Sequence, residues 1–98
     1  MGTQNLMLVN KLCTHYEVEF SFFKALDNIG LIEIMVIEET QFIHQDKLSD
    51  LEKMIRLHHE LGLNIEGIDV VFNLLQKVDT LQKELDSVKN KLRLYEND

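Results

Sequence analysis

The sequence predicts a mainly α-helical protein with a small β-hairpin, and three observations carry that prediction. From Ile68 to Tyr95 no glycine or proline interrupts the chain, while apolar residues recur at steps of three and four. A second run with the same spacing ends against Gly62, where a helix can close. Between Ile34 and Ile43, β-branched and apolar residues flank a polar Glu38-Glu39-Thr40 centre, as in two short strands and their turn. Ninety-eight residues, 45% hydrophobic and 28% charged, give one compact domain and exclude a multidomain enzyme. A chain of this size buries only about 60–65% of its unfolded surface, so association with a second surface would add to its stability.

Taken in order, Asn10 can cap a first short helix over Lys11 to Tyr16. A second spans Phe20 to Asn28 and stops at Gly30, with only Glu17-Val18-Glu19 between the two. Two short helices across a tight turn, followed by a hairpin, form a helix-turn-helix with a wing. Asp46 or a neighbour starts a third helix, with Leu48, Leu51, Met54, Ile55, Leu57 and Leu61 at helical spacing and Gly62 as its C-cap. Asn64 caps a fourth helix over residues 65–95, roughly 45 Å long at ~1.5 Å per residue. Residues 1–63 then form the winged unit with its connecting helix, and residues 64–98 form the long helix of the same structural domain.

That last helix carries an unbroken heptad pattern. Val71, Val78, Leu85 and Leu92 fall at a, and Leu74, Leu81, Val88 and Tyr95 at d, so every core position is apolar. Such a seam predicts a coiled-coil homodimer. Ile65, Ile68, Phe72 and Leu75 widen the apolar stripe near the helix start, where it should also rest on the globular part. Glu84 and Lys91 can meet Lys89 and Glu96 of a parallel copy, or Glu84 can meet Lys91 of an antiparallel one, so charge leaves the orientation open.

The net charge of −7 is concentrated toward the N-terminus. Residues 1–43 hold Lys11 and Lys24 against Glu17, Glu19, Asp27, Glu33, Glu38 and Glu39. Nucleic-acid affinity comes largely from lysine and arginine displacing counterions, so this distribution opposes DNA binding. Cys13 and His15 lie two apart on a helix and point to different sides, and His58 and His59 diverge by about 100°, so a metal site is not expected. Cys13 should be a small buried residue, and His15 and His59 partly buried and hydrogen-bonded to helix ends. No Gly-rich nucleotide loop or Gly-x-Ser-x-Gly elbow occurs, so neither a cofactor nor enzymatic activity is expected. A single cysteine, no membrane-spanning run and no leader pattern place the expected compartment in the cytoplasm.

Arg56-Leu-His-His-Glu-Leu-Gly-Leu-Asn-Ile-Glu-Gly-Ile68, with Asp27-Asn-Ile-Gly-Leu-Ile32 upstream, resembles the frame of MerR-type winged helix-turn-helix proteins. Within that superfamily Cys13-Thr-His15, Glu38-Glu39-Thr40, and Arg56-Leu57 with His59-Glu60-Leu61 before Gly67-Ile68 resemble the chaperone modulator CbpM family. The chain differs from that pattern at Glu17 and Glu66 and in its more apolar second helix, with Phe20, Phe22 and Phe23. The resemblance implies a protein that binds the J-domain of a CbpA-like co-chaperone and inhibits it. A J-domain presents a basic helix to its partners, and an acidic surface is its complement. The resemblance therefore directs attention to Glu17, Glu19, Asp27, Glu33, Glu38 and Glu39, around an apolar centre drawn from Tyr16, Phe20 and Phe22. The alternative from the same superfamily is a DNA-binding transcriptional regulator, whose second helix and wing would have to be basic. Here that helix offers Lys24, and the wing offers no cation.

Overall fold

The computed structural model describes residues 5–96, so residues 1–4 and 97–98, the outer ends of the two expected units, lie outside the described residues. Strand β1 (Leu6–Leu8) leads directly into helix α1 (Val9–Tyr16), followed by α2 (Phe20–Asn28). Strands β2 (Met35–Ile37) and β3 (Thr40–His44) form the wing. A 3-10 turn (Gln45–Lys47) then passes the chain into α3 (Leu48–Leu61) and α4 (Ile65–Glu96).

The expected hairpin is present within a larger sheet. β1 pairs antiparallel with β3 on the side away from β2, giving a three-stranded order β1-β3-β2 with Met7 opposite Ile43 and Met35 opposite Phe42. Ile37 faces Thr40, leaving Glu38 and Glu39 as a two-residue turn with φ of 50° and 65°. Two successive residues at positive φ define a type I′ turn, whose twist matches the strands and which ordinarily selects Asn-Gly. The first helix begins two residues earlier than expected, at Val9 in place of Lys11. Leu8 occupies the N-cap without a side-chain hydrogen bond, while Asn10 lies inside the helix, its carbonyl accepting from Thr14 Oγ1 at 3.1 Å. Continuity with β1 sets that start and removes the need for a capping side chain.

The other boundaries follow local chemistry. Gly62 closes α3 at φ 66°, and Asn64 Oδ1 accepts the Gly67 amide at 2.8 Å in the first turn of α4. After α2, Gly30 takes φ 87°, and Asp27 Oδ1 accepts from the Ile34 amide at 3.2 Å, tying the end of that helix to the approach of the wing. Asp46 sits in the 3-10 turn, its amide donating to His44 Nδ1 at 3.2 Å, so α3 proper starts at Leu48.

Phe23 and Leu26 of α2, Leu51 and Met54 of α3, and Ile68 of α4 form the centre of the core, with Val9 of α1 and Ile43 of β3 beneath them. Among the described residues no charged or polar side chain is buried there. On α4 burial stops at Phe72, and every residue from Asn73 to Glu96 is exposed on the single chain.

Two changes test this account by chemical denaturation. Met54→Ala removes a fully buried side chain shared by the three principal helices and should cost about 2–5 kcal/mol. Replacing Glu38-Glu39 by Asn-Gly should stabilise the fold by about 1 kcal/mol, because both residues then accept positive φ with little strain; an unchanged or lowered midpoint would contradict the type I′ geometry.

Candidate protein-binding surface

The α1–α2 turn projects acid because its backbone leaves both glutamates at the surface. Glu17 closes α1 in the left-handed region at φ 55°, its amide bonded back to the carbonyls of Cys13 and Thr14. Glu19 precedes α2 as its N-cap in extended conformation. Both side chains are exposed, as are Glu33, Glu38 and Glu39 on and beside the wing. Asp27 differs from these, since it is half-buried and its carboxylate is held by the Ile34 amide. Lys24 is the sole cation of α2, and β2, β3 and their turn carry no lysine or arginine.

The aromatic residues separate into three environments. Phe20 lies at the surface, 37% exposed. Tyr16 is half-buried and donates its hydroxyl to Glu52 Oε2 at 2.5 Å, joining α1 to α3. Burial, and then the hydrogen bond and charge of Glu52, push the Tyr16 phenol up to about 12. Phe22 belongs to the core, 9% exposed, with its ring against that of His58 at 4.6 Å between centroids.

His58 and His44 are partly buried, whereas His15 and His59, expected in that role, are exposed. Nδ1 of His58 donates to the Leu63 carbonyl at 2.9 Å, across the turn closed by Gly62. The signal was present in the spacing: Leu51, Met54, Ile55 and His58 follow one face at i, i+3, i+4 and i+7. Cys13 is half-buried against the core, not fully enclosed, and desolvation raises its thiol above the usual range, which opposes thiolate chemistry.

These elements enclose an open groove of about 450 Å³. Glu17 and Glu19 stand at its rim, Phe22, Ala25 and Ile65 supply apolar lining, and His58 and His59 enter from the end of α3. Neither histidine is recognisable as groove lining from the sequence, because the groove exists only once the ends of α1 and α3 meet the starts of α2 and α4.

The residues of the heptad seam lie on the same protein but away from this surface. Val71 is half-buried, while Leu74, Val78, Leu81, Leu85, Val88, Leu92 and Tyr95 are exposed by between 48% and 80% on the single chain. No helix among the described residues is long and apolar enough to cross a membrane.

Tyr16 makes the α1–α3 connection measurable by ultraviolet pH titration. The folded state holds its proton above the ordinary phenol value near ~10, so its contribution to stability is complete below about pH 10 and is lost as pH rises toward about 12. Tyr16→Phe should abolish the late-ionising phase in the ultraviolet titration; persistence of that phase would assign it elsewhere.

The MerR HTH regulatory protein family matches this chain over residues 7–90. Chaperone modulatory proteins CbpM of Escherichia coli O1:K1 / APEC, Escherichia coli strain K12 / DH10B and Shigella boydii serotype 18 are each 25% identical to it over 88 residues. The alignments cover 89% of this chain and 87% of those proteins. No solved structure matches.

Proposed function

This chain belongs to the MerR HTH family of regulatory proteins, and from that premise we propose that it is a non-catalytic chaperone modulator. It binds the J-domain of a CbpA-type co-chaperone and thereby inhibits stimulation of an Hsp70-type chaperone. The observation that carries this reading is the sign of the charge on the frame. A DNA reader of this shape lays its second helix and wing against phosphates, yet α2 offers one lysine, the wing turn offers Glu38 and Glu39, and Glu33 stands beside the wing. The same carboxylates, with Glu17 and Glu19, complement a basic helix. The 25% identity over 88 residues to CbpM proteins, which are chaperone modulators by name, supports the same direction.

Binding by coverage of the J-domain needs no reacting group. Complementary charge accelerates encounter, while affinity rests mainly on desolvated contacts such as Phe20 and the exposed part of Tyr16. Asp27, whose carboxylate is engaged by Ile34, contributes to the shape of the surface more than to its free charge. In this reading the protein acts in the cytoplasm and is homodimeric through the α4 seam, where seven of the eight apolar a/d positions are exposed on the single chain and are matched best by a second such stripe.

Titration calorimetry with a CbpA-type J-domain at low and high salt tests the binding claim. Affinity should fall severalfold between about 50 and 300 mM salt as exposed charges are screened; absence of binding at low salt would remove the reading. Leu81→Asp combined with Leu85→Asp should convert a dimer to a monomer by light scattering. A dimer mass that survived both charges would place the interface elsewhere.

A further inference from the structure

We infer that the groove between the α1–α2 turn, α2 and the α3–α4 junction receives one long basic side chain of the partner. The inference rests on the J-domain reading and names where that partner is gripped. Three features of the groove select such an occupant. Its volume of about 450 Å³ and its open mouth leave room for an extended side chain. Its lining contains Glu17 and Glu19 but no lysine or arginine, so the local charge favours a cation and repels a carboxylate or phosphate. Its inner wall is apolar and aromatic, with Ala25 and Ile65 beside the paired rings of Phe22 and His58, which suits a methylene stem capped by a delocalised cation.

The surrounding hydrogen bonds leave the carboxylates available. Asn64 Oδ1 is occupied by the Gly67 amide, and His58 Nδ1 by the Leu63 carbonyl, so both hold the wall in place. Within the described residues Glu17 and Glu19 form no ion pair. The groove is therefore a pre-shaped receptor with its acidic rim unspent, and its walls are set by the core through Phe22.

Calorimetry of variants against the same J-domain separates this inference from the broader reading. Glu17→Gln with Glu19→Gln should weaken binding about tenfold. Removing the same charge from α4 by Asp79→Asn with Asp86→Asn should weaken it less than threefold. Ser21→Trp, which fills the groove from the exposed face of α2, should also cost at least tenfold, with circular dichroism confirming retained helicity. If the α1–α2 pair loses no more than the α4 pair, or if Ser21→Trp binds like the unaltered chain, the groove is not the receptor although the J-domain is still the partner. Failure of the unaltered chain to bind the J-domain would overturn the broader reading together with the inference.

Discussion

Ile68 and Phe72 are the two buried side chains on a helix of 32 residues, and the architecture depends on how they divide it. They lock the first two turns of α4 into the space between α2 and α3, where Phe23, Leu26, Leu51 and Met54 are already packed. That contact makes the helix part of the head and fixes the direction in which the rest departs. Beyond Phe72 the helix has left the core, giving the protein a long axis of 62 Å against 37 and 21 Å across. Most of the stability of a helix in a protein comes from packing its apolar face rather than from propensity. Its apolar stripe continues at heptad spacing after the core has ended, which is the pattern expected when a second surface takes over the role of the first.

The head uses a frame shaped for nucleic acid with charges of the opposite sign. Among the described residues, the non-glycine positions at positive φ are Glu17, Glu38 and Glu39. Each lies in an exposed turn where glycine or asparagine would be adopted at lower backbone cost. Local conformational preference therefore does not account for glutamate at any of them. All three carboxylates are exposed and add to a negative potential, the feature on which the proposed function rests.

Much of this was readable before the fold was known because helix signals are local. The α2 boundaries, the Gly62 stop, the Asn64 cap and the α4 periodicity each depend on residues within one or two turns. β1 was not readable: Leu6-Met7-Leu8 neither alternates nor carries turn signals, and it becomes a strand only through pairing with β3. The same long-range pairing moved the start of α1 from the expected Asn10 cap to Val9. The wing was legible from its β-branched flanks, although its turn uses Glu38-Glu39 in place of a favoured pair. The acidic surface was visible as composition, but its division into free carboxylates and the engaged Asp27 was not, since the Ile34 amide reaches back across seven residues. The inward placement of Phe22 and His58 similarly required α2 and α3 to meet.

The reversal of charge on a nucleic-acid-binding frame is the central claim, and fluorescence anisotropy of labelled duplex DNA tests it most directly. At about 50 mM salt, where phosphate contacts are strongest, the account predicts no rise in anisotropy at micromolar protein. Tight binding to a defined duplex, weakening steeply with added salt, would contradict it.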